Sequence, residues 1–261
     1  MTISIITINY NNAIGLKKTV ESVVNQTYED IEYIVIDGGS KDGSADYIES
    51  IKDKLSYAIS EPDDGIYHAM NKGIDQATGE YLLFLNSGDW LYEKNVLEKV
   101  MKNNLSESII YGDVLNEVSD SIETFESDLS AFYLFNKWLG HPSMFIRKEL
   151  FTSIGYYRTD FDIISDWIFY TNAILKHNCS YKHLDITISG VEAGGISQVS
   201  SSKHLLDEER KQYLILEFPL YLNDLSEFNQ IKRLTSSRLV KFAIKLIEYK
   251  SKLMKIIKAL D

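Results

Sequence analysis

The sequence predicts an α/β fold, a mostly parallel central sheet covered by helices. Two observations carry that expectation. Apolar runs alternate with amphipathic stretches from Ile3 to Asp89, and each run stops at a polar loop bearing Asp or Asn. Ile3–Ile8 reads as the first strand and gives way to Asn9-Tyr10-Asn11-Asn12. A helix follows, with Leu16, Val20, Val23 and Val24 at helical spacing. Ile31–Ile36 is a second strand ending in Asp37-Gly38-Gly39-Ser40, and a helix near Ser44–Asp53 leads to a third strand, Leu55–Ser60. Beyond Glu61-Pro62-Asp63-Asp64-Gly65, a helix over Ile66–Gln76 returns the chain to Glu80–Leu85, the most apolar run, which stops at Asn86-Ser87-Gly88-Asp89. This order implies right-handed crossovers. Ligands of such sheets collect beyond the carboxyl ends of the strands, so the polar loops should converge there.

After Asp89 the pattern weakens. A helix is expected at Glu93–Asn104, short strands near Ile109–Gly112 and Pro142–Ile146, and helices at Lys148–Ile154 and Ser165–Lys176. A strand near Lys182–Ser189 precedes Val191–Ser202, which reads as a mobile loop, and the chain reads as helices from His204 onward.

Composition bounds the function. A chain of 261 residues with 44% hydrophobic and 25% charged residues is long and apolar enough for a sizeable core, which excludes a disordered or collagen-like chain. The single cysteine, Cys179, cannot close an internal disulfide, so a reducing, cytoplasmic setting is expected. The start lacks the basic region of a signal peptide, and no stretch approaches the length of a membrane span. The net charge of −11 hides an asymmetry: residues 229–261 carry nine Lys/Arg against Glu248 and Asp261, a net of +7, leaving −18 on residues 1–228. So acidic a body is a poor partner for nucleic acid. The expected division is a globular domain over 1–225 and a basic helical extension over 226–261. In that extension Leu239, Phe242, Leu246, Tyr249, Leu253, Ile256 and Leu260 form one apolar stripe. The stripe suits packing on the body, an identical helix in a homodimer, or the inner surface of a cell membrane, where the protein would sit peripherally.

Several loops could carry chemistry. Asp37 offers acceptors to a base or ribose, and Gly39 in the same loop permits close backbone approach; a solvated turn is the plain alternative. Asn86, Ser87 and Asp89 could present oxygen ligands to a hard cation, or simply form a turn. Asp166 could act as a general base or only favour a helix start, and His141 could bind phosphate or metal or merely pack. The sequence lacks a Cys/His metal cluster, a strand-preceded Gly-x-Gly-x-x-Gly, a phosphate-binding Gly-x-x-x-x-Gly-Lys-Ser/Thr loop and a Gly-x-Ser-x-Gly elbow. Dinucleotide oxidoreductases, P-loop NTPases and serine hydrolases of the elbow type are thereby disfavoured.

In order along the chain, Ile5-Ile6-Thr7-Ile8-Asn9-Tyr10-Asn11 with Ser22-Val23-Val24-Asn25-Gln26-Thr27, Glu32–Gly43, Ser60–Gly73 and Gly79–Asp89 resemble the segments of glycosyltransferase family 2, as do His141–Arg147 and Ser165-Asp166-Trp167. The resemblance covers about residues 1–200 and points to the bacterial surface-polysaccharide type. It implies a GT-A fold, with a Rossmann-like sheet, and an inverting transferase that moves a sugar from a nucleoside diphosphate sugar, a UDP-sugar, to a glycan or lipid-linked glycan hydroxyl. It also implies a donor pocket from Thr7, Asn9, Tyr10, Asp37, Gly39, Asp64, Asn71, Asn86, Ser87 and His141. Asp89 would be the ligand of Mn²⁺ or Mg²⁺, and Asp166 the base. The chain departs from the family in having Asn86 for the first acid of the Asp-x-Asp motif, Gly88 where an acid is frequent, and His68 where Asp is common. A non-catalytic module that holds a nucleotide sugar is the alternative reading. A sugar-nucleotide pyrophosphorylase is disfavoured, because Asn9-Tyr10-Asn11-Asn12 stands where a Gly-rich basic loop would be needed.

Overall fold

The computed structural model describes residues 1–192, 200–222 and 224. The chain divides into two compact units, Met1–Leu206 and Asp207–Asp261, and the division falls inside helix α8 (Ser200–Glu217).

The first unit is built on one nine-stranded sheet. Strands β1 (Ile3–Asn9), β2 (Ile31–Asp37), β3 (Tyr57–Ser60) and β4 (Tyr81–Phe84) stand in the order β3-β2-β1-β4 with every pair parallel. Their register sets Asn9 beside Asp37 and Asp37 beside Ser60, so the polar ends of three strands meet at one edge. Beyond β4 the sheet is mixed. Strand β8 (Met144–Arg147) runs antiparallel to both β4 and β6 (Ile109–Asn116). Strand β9 (Tyr181–Val191) runs parallel to β6 and takes β5 (Trp90–Leu91) antiparallel at its end, while β7 (Ser121–Glu123) pairs only with β6.

Strand alternation decides which helix lies on which face. Ile3, Ile5, Tyr33, Val35 and Leu83 bury one face against α1 (Ala13–Val24), α2 (Ser44–Ser50) and α4 (Val96–Met101), through Leu16, Val20, Val23, Ile48, Val96, Leu97 and Val100. Ile6 and Ile36 point the other way, to α3 (Ile66–Gln76). There a Cβ on Gly73 would lie 2.4 Å from Ile6 Cγ2, so only glycine lets α3 settle this close. Phe84 continues that second face into an aromatic cluster with Phe151 of α6 (Lys148–Ser153), Tyr157 and Phe169 of α7 (Ser165–Leu175). Each such ring pair adds about 0.5–1.5 kcal/mol beyond its buried area.

The first four strands and α1 to α3 lie close to their expected bounds. The second half departs further. Strand β6 does not stop at Gly112: a Cβ there would stand 2.5 Å from Ile186 O, and the register of β6 on β9 shifts at this point. The glycine marks an irregularity in a longer ladder rather than a strand end. Strands β5 and β7 and helix α5 (Ala131–Asn136) are too short to show a period. Of the expected loop at Val191–Ser202, Val191 closes β9, residues 200–202 open α8, and residues 193–199 lie outside the described residues, as does the apolar stripe from Leu239 to Leu260. Among the described residues no helix is long and apolar enough to cross a membrane.

Candidate active site

Asp37, the last residue of β2, is fully buried and organises the first part of the carboxyl edge. Its Oδ1 accepts from Asn9 Nδ2 at 2.6 Å and Ser40 Oγ at 2.6 Å; its Oδ2 accepts from Ser60 Oγ at 2.5 Å and the Ser40 amide at 2.9 Å. Burial pushes this carboxyl up, but the donors from Ser40, Ser60 and Asn9 outweigh it and hold its pKa below the usual carboxylate range. The neighbouring loops interlock through Asn11 N–H to Ser40 Oγ (2.7 Å) and Ala13 N–H to Asp42 (2.8 Å). Gly39, at φ +77°, brings its backbone against Glu61 and Pro62, so it serves loop-on-loop packing. The open surface here belongs to Tyr10, which is 68% exposed, with Asp63 half-buried: both stand where a Cβ on Gly38 would reach. An exposed ring beside a carboxylate suits a nucleobase and its N–H or hydroxyl donors.

The loop after β4 is tied to α1. Thr19 Oγ1 donates toward Asp89 O (2.6 Å) and accepts from the Gly88 amide (3.0 Å), while Asn12 Nδ2 donates to Ser87 O (3.2 Å). Gly88 sits at φ +107°, and a Cβ there would lie 2.3 Å from Glu192 Oε2. The space left by the missing acid is therefore filled by a carboxylate arriving from the end of β9. Burial, with the Glu192 charge adding to it, pushes the Asp89 carboxyl up to about 7, against the lowering influence of the Glu192 amide and Lys18. Lys18 itself lies 3.6 Å from the centre of the Trp90 ring and pairs with Glu117 at 2.9 Å. Among the described residues, Asn86 Oδ1 and Ser87 Oγ are buried without a hydrogen-bond partner. Two adjacent carboxylates and unpartnered oxygens fit a hard divalent cation shared with a diphosphate, which needs only one or two protein carboxylates. Among the described residues no group of three or more His, Cys, Asp or Glu forms a closed metal cage.

Asp166 opens α7, with its side chain 23% exposed. Tyr67 of α3 donates to its Oδ1 at 2.9 Å. His141 Nδ1 stands 3.9 Å from its Oδ2, while His141 Nε2 bonds the Tyr157 hydroxyl at 2.9 Å. The His141 ring is buried and stacks on Phe84, the last residue of β4, at 5.1 Å. Burial lowers the His141 pKa despite the nearby Asp166 charge, which favours the neutral ring.

The structure thus gathers Asn9, Tyr10, Asp37, Asn86, Ser87, Asp89, His141 and Asp166 along the carboxyl edge of the sheet, and it redistributes four expectations. Thr7 is buried within the core, where its hydroxyl bonds Tyr33 at 3.1 Å. Asp64 is 97% exposed and its amide is held by His68 Nδ1, so Asp63 is the acid beside Tyr10. Asn71 directs its amide to both backbone groups of Tyr157, at 2.8 and 3.1 Å. His141 faces Asp166 and Tyr157 from within the protein. Glu192 was missed because it lies in a stretch without regular period; its one signal is an acid at a strand end on the same sheet edge.

Comparison with known proteins agrees with this geometry. Residues 4–156 match the model of glycosyl transferase family 2. The chain is 30% identical over 210 residues to a PGL/p-HBAD biosynthesis glycosyltransferase of Mycobacterium bovis, covering 78% of this chain and 82% of that one. Its fold resembles S. aureus TarS 1–349 crystallised with UDP-GlcNAc, with a TM-score of 0.65 at 19% identity over 77% of this chain and 61% of that one. It also resembles the mannosyltransferase PcManGT of Pyrobaculum calidifontis, crystallised with GDP-Man and Mn²⁺, with a TM-score of 0.57 at 17% identity over 96% of this chain and 79% of that one. The chain spans about three fifths of the TarS 1–349 chains it matches. With a GT-A sheet whose carboxyl edge carries these acids, the chain belongs to glycosyl transferase family 2.

Proposed function

We propose that the protein transfers one sugar, with inversion, from a UDP-sugar to a hydroxyl of a glycan or lipid-linked glycan during polysaccharide or glycolipid assembly. The observation that carries this reading is the separation of duties along one edge. Asp37 is ionised but saturated by protein donors, Asp89 and Glu192 sit together beside unpartnered oxygens, and Asp166 keeps an open carboxylate oxygen.

Tyr10 would flank the base, with Asp63 and the Asn9–Asp37 pair shaping its pocket. Asp89 and Glu192 would hold Mn²⁺ or Mg²⁺, which when bound supplies positive charge to the diphosphate leaving group. Asp166 takes the proton of the acceptor hydroxyl as its oxygen bonds the anomeric carbon, and the bond from that carbon to the diphosphate oxygen breaks. One base and one displacement invert the anomeric centre, whereas paired carboxylates and a water are the arrangement of hydrolysis. The similarity to a UDP-GlcNAc-bound chain supports a UDP donor, and the Mn²⁺-bound neighbour supports a divalent cation. The basic residues 229–261 suit an anionic membrane surface, where a lipid-linked acceptor resides.

The test is UDP release from a panel of UDP-sugars with Mn²⁺, with and without glycan and lipid-linked acceptors, followed by NMR of the new linkage. An α-linked donor should yield a β-linked product and EDTA should stop the reaction. A retained configuration overturns the single displacement, and a nucleotide sugar that binds without UDP release under any acceptor favours the non-catalytic module.

A further inference from the structure

Asp166 is held by an aromatic clamp whose principal member, Tyr67, lies almost a hundred residues away in sequence. We propose that Tyr67 is a positioning residue for Asp166: its hydroxyl donates to one carboxylate oxygen and fixes it, leaving the other oxygen to receive the acceptor's proton. This inference rests on the reading of Asp166 as the base.

The geometry is specific. The Tyr67 ring is buried, and its hydroxyl reaches two acceptors, the Ile163 carbonyl at 2.6 Å and Asp166 Oδ1 at 2.9 Å. The residue preceding α7, Ile164, offers no side-chain cap. A hydroxyl from α3 therefore reaches the chain at an uncapped helix start. Burial first, and then the Asp166 charge, raise the Tyr67 pKa well above that of a free tyrosine, so the hydroxyl keeps its proton to donate.

One proton with two acceptors makes the hydroxyl responsive to charge. While Asp166 is ionised, the bond to Oδ1 is charge-assisted. When Asp166 takes a proton from the acceptor, the Tyr67 O–H turns to the Ile163 carbonyl. No heavy atom has to move.

The other side of the carboxylate faces a buried pair, His141 and Tyr157. Tyr157 is buried and its pKa is raised well above the usual value, by burial first and then by Asp166, so its hydroxyl can donate to His141 Nε2. His141 Nδ1 itself stands 3.9 Å from Oδ2, beyond hydrogen-bond reach. Oδ2 is thus open. Helix α3 commands both sides. Tyr67 bonds Asp166, and Asn71, one turn later on the same face, clasps the backbone of Tyr157. The groups disposed around Asp166 are therefore Tyr67 from α3, His141 from the turn before β8, and Tyr157 behind it from the loop before α7.

The experiment is ¹³C NMR titration of aspartate carboxyls in the full chain, with the Asp166 signal assigned by its loss in Asp166→Asn. In Tyr67→Phe, which keeps the ring, the Asp166 titration should move upward by about one pH unit, a tenfold gain in proton affinity. Tyr157→Phe keeps its ring too and should move the titration in the same direction by less. With UDP-GlcNAc, Mn²⁺ and water as acceptor, Tyr67→Phe should lower kcat for UDP release about ten- to a hundredfold while leaving KM for the donor unchanged. An unmoved Asp166 titration in both variants overturns the clamp, whatever the activity. A shifted titration in an enzyme whose Asp166→Asn variant still turns over keeps the clamp and removes Asp166 as the base.

Discussion

The two halves of the active edge are built by different means. On the parallel side, Asp37 receives four hydrogen bonds, from Asn9 and Ser60 at the ends of neighbouring strands and from Ser40 in the loop that follows it, and it is buried and saturated. On the mixed side, Asp166 is partly exposed and held through Tyr67, with His141 3.9 Å away, while Asp89 meets Glu192 across more than a hundred residues of chain. The parallel half turns register into a fixed scaffold. The mixed half brings charges together from distant elements and leaves some of their capacity unmet, which is what a reacting site requires.

Substitutions can break or sharpen that contrast. The largest expected effect is on binding. Asp89→Ala should abolish divalent-dependent UDP binding, a loss of at least about a hundredfold by calorimetry with and without Mn²⁺. The pH dependence has a definite sign. Because the Asp89 pKa is raised to about 7, the folded state holds this proton more tightly than the unfolded chain. The resulting stability is present at acid pH and lost as pH rises toward about 7. A cation competes with the same proton, so Mn²⁺-dependent UDP affinity should climb with pH up to that point and then level; a flat profile removes Asp89 from cation binding.

Asp37→Asn probes the scaffold and should cost about 2–4 kcal/mol in urea unfolding, because several buried donors lose a charged acceptor. The sign is opposite to that of Asp89. The Asp37 pKa is depressed, so its contribution is present above the ordinary carboxylate range and lost as pH falls through its folded pKa. The gap between wild type and variant should therefore narrow in acid. Gly73→Ala should have the smallest effect, about 1–2 kcal/mol from overpacking Ile6, with UDP binding retained once the protein is folded. A neutral result there would show that α3 can shift freely on β1.

Legibility in the sequence follows the same division. The strands β1 to β4 and their loops could be read locally, because each apolar run, its stop and the next helix are contiguous. Asp37, Asp89 and Asp166 were visible as acids at element ends. What local pattern cannot convey is partnership. Thr7 reads like a pocket residue until strand alternation turns it into the core against Tyr33, and Asn71 until its amide is found on Tyr157. Gly88 looks like a weakened metal motif, yet the glycine is what admits Glu192. Gly112 looks like a strand end and is an irregularity within β6. All four depend on contacts distant in the chain.

The central claim is that donor binding and proton removal belong to different acids on one edge. It is tested most directly by Asp166→Asn, with UDP-sugar binding measured by calorimetry in Mn²⁺ and transfer measured on the same sample. The account predicts wild-type donor affinity with transfer reduced by about a thousandfold or more. Transfer at the wild-type rate, or loss of donor binding in a folded variant, would contradict it.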